Sequence, residues 1–406
     1  MGLALLMASS SLLVRYSATE VTPAGELPLG GYTERGDKRG HNDGGSLFVR
    51  VSVLEQGTER IAIAVLDALT IPESLATAVR ERIPPGVKLV LVATHTHCAP
   101  DSQMANDRMT LSVPGIANYN REYADILARQ IDQAVRSALA AEPMRAGTIG
   151  LVEARVPFGR NRREGAVPDP RAFALKSGDR VLLATFGAHP TLNGPEQTAY
   201  RADWPGSLAS LLNAPVATGA IGDIAPRFDG PTSDMRSRGM AEGLHEALAS
   251  ARSRQVWSQG KPLAMVTATY QFAKPIPHPT FAEAYGVPVP LAAIAVQRFA
   301  PATGRVSLLA LGDCAVVFLP AEPTVAVAHR IERTVLKSGF SRCVVVSHAD
   351  GWAGYVLEPE DYDRGGYEAT LAFYGRGGAD RLVDAVQESL ASYRSIVARS
   401  LCGQSR

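Results

Sequence analysis

Hydrophobic positions along the chain follow two periods in turn, a strand-like period of two and a helix-like period of 3.6. Residues 14–19 alternate like a strand and lead straight into Val21-Thr22-Pro23. Residues 46–54 and 60–66 are rich in valine and isoleucine and flank a Gln-Gly turn, which predicts consecutive strands. Pro72 introduces a predicted helix over 73–83. The run 87–93 (VKLVLVA) is almost wholly apolar, as expected of a strand buried on both faces. The clearest helix spans 120–142, with Tyr123, Ile126, Leu127, Ile131, Val135 and Leu139 on one stripe. Further strands are predicted at 181–188, 263–272, 306–311 and 343–347, and further helices at 324–338 and 379–395. The Pro- and Gly-rich stretches 23–45, 160–169 and 274–290 read as loops, and no repeat or long linker is visible. Strands mixed with helices throughout predict one α/β domain spanning residues 1–406, with its core over about 11–400.

Composition narrows the function classes. Hydrophobic residues make up 46% and charged residues 20% of 406, which is ordinary for a globular enzyme. With 41 basic and 40 acidic side chains, the net charge of +1 gives no electrostatic case for a nucleic-acid partner or an anionic membrane. Cys98, Cys314, Cys343 and Cys402 are scattered without a CxxC pair, so they read as free thiols in a reducing compartment. No basic residue precedes the apolar opening MGLALLM, so it reads as the approach to the first strand and not as a cleaved leader. No run reaches the ~18 apolar residues of a membrane span. These features predict a cytoplasmic protein, and nothing in them fixes an oligomeric state.

Chemistry concentrates at the histidines. Only eight are present, and His95 and His97 form an H-x-H directly after the buried strand 87–93. In an extended chain, residues two apart share a face, so both imidazoles can converge just past a strand end, where α/β sheets present ligands. A hydrogen-bonded pair of loop histidines is the competing interpretation. His189 has the same setting, following the apolar run 181–188 and preceding Pro190. Two strand-end sites in so histidine-poor a chain point to a shared metal site. A catalytic zinc takes about three protein ligands and keeps one position for water, and spacing alone cannot choose the missing carboxylate. His245 and His329 fall in helical patterns, His278 in a Pro-rich loop and His41 in a Gly-rich one. His348 precedes Ala349-Asp350-Gly351 and could line the pocket.

From residue 21 to about 379 the chain resembles the catalytic domain of the neutral, non-lysosomal ceramidases. The resemblance rests on seven segments in order: Glu20-Val21-Thr22-Pro23 with Gly30-Gly31-Tyr32; Ala93-Thr94-His95-Thr96-His97-Cys98-Ala99-Pro100; Asn161-Arg162; His189-Pro190-Thr191; Gly222-Asp223-Ile224-Ala225-Pro226; Pro320-Ala321-Glu322-Pro323-Thr324; and Tyr355-Val356-Leu357-Glu358-Pro359-Glu360-Asp361-Tyr362 with Tyr367-Glu368. It implies that His95, His189, Glu322 and Tyr355 bind one zinc ion, with Arg162 and Tyr367 as donors to an oxyanion. It also supports central mixed sheets with helices outside. His97 is the candidate for proton transfer, with an orienting role beside His95 as the alternative. Asp203, before Trp204-Pro205-Gly206, is either an outer acid or a turn former.

Three departures qualify the resemblance. Where some accounts of the family place a serine nucleophile, this chain has Ala225, which cannot attack a carbonyl and leaves metal-activated water. No C-terminal immunoglobulin-like domain follows before Arg406, and residues 101–107 replace a glycine-rich stretch. The loops 101–116, 160–169 and 194–201 are largely polar, which favours a smaller and more polar amide than ceramide as substrate. The expected activity is zinc-dependent hydrolysis of an N-acyl bond in a small-molecule or lipid amide. An esterase, an acyl transferase or cyclase, and a non-catalytic binding protein on the same scaffold are the alternatives.

Overall fold

The computed structural model describes residues 11–402, apart from residues 37 and 114; most of the apolar opening lies outside them. Three sheets carry the architecture. In the first, the spatial order is Lys88–Ala93, Glu59–Leu66, Phe48–Gln56, Leu12–Glu20, Met144–Ala146. The second runs Val216–Thr218, Arg180–Phe186, Arg171–Ser177, Thr148–Arg155, Ser253–Ser258. The third runs Leu263–Gln271, Thr303–Leu311, Cys314–Phe318, Arg342–Val346.

One unit recurs in all three although the sequence shows no repeat. An antiparallel pair is extended by a parallel strand that is reached through a helix. The crossovers are Glu73–Arg80 into Lys88–Ala93, Asp203–Leu212 into Val216–Thr218, and Val325–Lys337 into Arg342–Val346. Parallel neighbours need such a crossover because a tight turn can only reverse the chain.

The pleat sorts side chains between two cores. Along the first sheet, Leu54, Ile61, Ile63 and Val65 point to a central cluster, while Val49, Val51, Val53, Ala62 and Ala64 point to the helices. The central cluster also takes Leu175, Leu183 and Trp257 from the second sheet and Leu309, Val316 and Val344 from the third. The outer faces are covered by Glu73–Arg80 and Arg121–Ala140, by Asp203–Leu212 and Ser233–Ser250, and by Val325–Lys337 and Gly378–Cys402. The expected arrangement, one α/β unit with mixed sheets inside and helices outside, is the one observed. Among the described residues, no helix is long and apolar enough to cross a membrane.

Elements expected from the sequence lie close to their predicted bounds. The stripe helix is Arg121–Ala140, capped by the Asn120 side chain, which accepts from Tyr123 N. Several elements went unread. The helix Ser233–Ser250 is only weakly amphipathic and holds two glycines; a Cβ at Gly239 would sit 2.5 Å from the Phe228 ring and one at Gly243 2.7 Å from Phe158. Asp203, for which the sequence leaves an outer acid and a turn former both open, begins a helix with Pro205 inside its first turn.

An ionic cluster ties the 160–169 loop to the third sheet's helix. Arg171 pairs with both Asp169 and Glu332, at 2.7 and 2.9 Å, and His329 lies 3.2 Å from Asp169. Burial pushes the Asp169 carboxyl up, but the hydrogen bonds from His329 and Arg171 outweigh it and hold it well below the usual carboxylate range. A depressed folded-state value means stability present above the unfolded value near 3.8 and lost as pH falls below it. Asp169→Asn should therefore lower stability at pH 6. In urea titrations, the gap from wild type should narrow as pH drops from 5 towards 3; a constant gap would exclude this linkage.

Candidate metal centre

Three of the four candidate ligands, His95, His189 and Glu322, lie just past the end of a sheet strand. His95 follows Lys88–Ala93 and takes a left-handed φ of 66°, which lets its Nδ1 donate to Leu69 O at 2.7 Å. His189 follows Arg180–Phe186, and its Nδ1 donates to Ile224 O at 3.1 Å. Because a carbonyl only accepts, both rings carry their proton on Nδ1 and expose a lone pair on Nε2. Glu322 follows Cys314–Phe318 and forms a short parallel bridge, Glu322 opposite Tyr355, that sets these two side chains next to each other.

These side chains converge. His189 Nε2 lies 3.1 Å from Glu322 Oε2 and 3.1 Å from the Tyr355 hydroxyl, and His95 Nε2 lies 3.6 Å from the same carboxylate oxygen. His97 Nε2 is 3.4 Å from His95 Nε2. Burial lowers the His95, His97 and His189 values, that of His97 to about 3, so these imidazoles are neutral. Burial would raise the Glu322 carboxyl, but the facing histidines, His95 foremost, hold it well below its ordinary value. Burial raises Tyr355 well above its ordinary value and keeps its phenol protonated, able to donate to His189.

The donor set fits a metal. Glu322 Oε2 faces the Nε2 lone pairs of two imidazoles whose own protons go to backbone carbonyls, and a cation between the three would draw them together. Two imidazoles and a carboxylate are also the chemistry zinc prefers.

Arg162 closes one side. Its Nε pairs with Glu368 at 3.0 Å, an Nη donates to Gly222 O, and its guanidinium lies 5.9 and 5.4 Å from the Tyr355 and Tyr367 rings. Burial opposes its charge, but Tyr355 and Glu368 beside it raise its value further. Tyr367 is 54% exposed, so it stands at the rim, and its phenol is pushed up to about 12, chiefly by burial. The structure thus brings together His95, His97, His189, Glu322, Tyr355, Arg162 and Tyr367.

Two residues were missed by sequence reasoning. His348 was set down only as a possible pocket lining. It is fully buried, stacks on His95 with ring centroids 3.9 Å apart, and places Nε2 3.5 Å from Glu322 Oε1. With His95 and Glu322 it forms a group that could hold a metal ion. Trp352 Nε1 donates to the same Oε1 at 2.6 Å. Asp203 lies behind the site, its carboxylate accepting from Asn193 N and Nδ2 in the loop that follows His189. His245 and His329 are on helices as expected, and His278 contacts Thr280 and Tyr362 O. Cys98, Cys314 and Cys343 are buried free thiols.

This three-sheet α/β fold is similar to that of neutral ceramidase. The structure superposes on that of neutral ceramidase from Pseudomonas aeruginosa with a TM-score of 0.81 and 16% identity, over 95% of this chain and 75% of that one. A structure described as ceramidase complexed with C2 gives 0.80 and 16%, over 95% and 76%. No protein-family model matches the chain, and no curated protein matches it in sequence.

Gly31 leaves room for His97: φ is 92°, and a Cβ there would lie 2.3 Å from His97 Nδ1. Gly31→Ala should cost more than about 1 kcal/mol in thermal unfolding, because alanine is strained at positive φ. Adding His97→Ala should recover part of that loss; strictly additive losses would show that the two residues do not collide.

Proposed function

We propose that the protein is a zinc-dependent hydrolase that cleaves the N-acyl bond of an amide with metal-activated water. The observation that carries this is the meeting of His95 Nε2, His189 Nε2 and Glu322 Oε2, lone pair to lone pair, in a buried site. His95, His189, Glu322 and Tyr355 would hold the ion. A bound zinc supplies Lewis acidity, lowering the pKa of a water from 15.7 towards ~7 and polarising a carbonyl.

The remaining steps belong to the chain's own groups. Arg162 and Tyr367 stand on one side of the cluster as charged and phenolic donors, suited to the negative oxygen that develops on an attacked carbonyl. His97, whose Nε2 lies 3.4 Å from His95 Nε2, would carry the water's proton to the leaving amine, although burial lowers its value to about 3 and makes it a weak base. Leu69 O and Ile224 O hold the ligand rings in the tautomer that presents Nε2. The likeness to ceramidase structures supports an amide substrate, and the polar loops favour one smaller than ceramide.

Purified protein should be incubated with ceramide and with short N-acyl amines in heavy-oxygen water, with and without a strong zinc chelator. The expected result is chelator-sensitive release of an acid carrying one labelled oxygen, with at least one short amide turned over faster than ceramide. Arg162→Ala should reduce turnover by about 10²–10³-fold, the usual loss for an oxyanion donor. Unlabelled product would mean transfer or cyclisation; protein that takes up no zinc and turns over nothing would sink the proposal.

A further inference from the structure

The carboxylate of Glu322 is held on both of its oxygens, but by different kinds of partner. Oε2 faces His189, His95 and the space between them. Oε1 faces Trp352 Nε1, which donates at 2.6 Å, and His348 Nε2 at 3.5 Å. His348 Nε2 is buried and makes no hydrogen bond in this structure, and Glu322 Oε1, 3.5 Å away, is the acceptor it faces. On the far side of the ring, His348 Nδ1 lies 3.3 Å from the Thr218 hydroxyl, which can donate to it and leave the ring proton on Nε2.

The backbone around His348 is built to hold this pose. His348 and Asp350 have left-handed φ values of 57° and 58°. His348 O accepts from Ala93 N at 3.0 Å, tying its turn to the strand that leads into His95. Asp350 accepts from Leu91 N at 3.0 Å and pairs with Arg80 at 2.6 Å. Strained turns fixed this firmly are found where a side chain must be aimed.

Resting on the metal-site reading above, we propose that His348 and Trp352 are positioning residues that clamp Oε1 of Glu322 between two N–H donors. The carboxylate would then offer Oε2, and not both oxygens, to an ion held by the histidines. Direct ligation by His348 fits the geometry less well. Its ring lies nearly parallel to that of His95, 20° between planes, and Nε2 faces the oxygen that Trp352 already occupies. Losing an outer partner of this kind typically weakens metal affinity ~10–100-fold.

Zinc affinity should be measured by competition with a chromophoric chelator in wild type, His348→Leu, His348→Gln and Trp352→Phe, with circular dichroism confirming that each is folded. We expect His348→Leu and Trp352→Phe each to weaken binding ~10–100-fold. His348→Gln keeps an N–H donor of similar reach and should return to within a few-fold of wild type. Unchanged affinity in His348→Leu and Trp352→Phe would overturn the clamp, even if both melt earlier. A glutamine variant as weak as the leucine variant would overturn it in favour of a direct ligand. Wild-type protein that binds no zinc would refute the proposed function itself, an outcome separate from either of these.

Discussion

Glu322 Oε2 confronts one imidazole Nε2 at 3.1 Å and another at 3.6 Å, because the rings' own protons are committed to backbone carbonyls. Protonating an imidazole would relieve this, but burial works against placing positive charge there. A folded chain keeps such a confrontation only if the surrounding structure imposes it. Here the imposition is distributed: Leu69 O and Ile224 O fix the rings, Trp352 anchors the carboxylate, and the Glu322–Tyr355 bridge sets the phenol alongside.

The recurring sheet unit is what makes that convergence possible. Each of the three sheets turns from antiparallel to parallel at one edge, and the strand ends at those edges deliver His95, His189, Glu322 and His348. The central apolar cluster, shared by all three sheets, fixes the strand ends relative to one another. Positive φ values at His95, His348 and Asp350 then bend the chain inward immediately past the strands. Such conformations are costly for residues other than glycine, and their clustering at one place marks it as functional.

Much of this was legible in the chain itself. The run 87–93 read as a doubly buried strand because its two faces serve two different cores, and the histidines after it and after 181–188 were singled out by position. The same rule applies to His348, which directly follows the predicted strand 343–347, although its segment supported only a pocket-lining reading. Glu322 and Tyr355 could not be chosen from spacing, because what unites them with His189 is a two-residue bridge between distant segments. That choice came from resemblance. Ser233–Ser250 escaped because Gly239 and Gly243 blunt its apolar stripe while making room for Phe228 and Phe158.

Position 225 sits in a segment whose main chain does the work. The segment Ile224–Pro226 pairs antiparallel with Gly159–Asn161, and Ala225 lies opposite Arg160. Around it, main-chain groups do the positioning. Ile224 O receives both N and Nδ1 of His189, Asp223 O receives Arg162 N, and Gly222 O receives the Arg162 guanidinium. The Asp223 carboxylate binds Asn161 Nδ2 at 2.7 Å and Val325 N at 2.9 Å, joining the second and third sheets' loops. Gly222 admits no side chain, since a Cβ there would lie 2.6 Å from Glu322 O. The Gly-Asp pair is therefore demanded by packing and hydrogen bonding, and the carbonyls serve the site whatever residue occupies 225. The contacts this segment makes to His189 and Arg162 come from main-chain carbonyls and do not involve the Ala225 side chain.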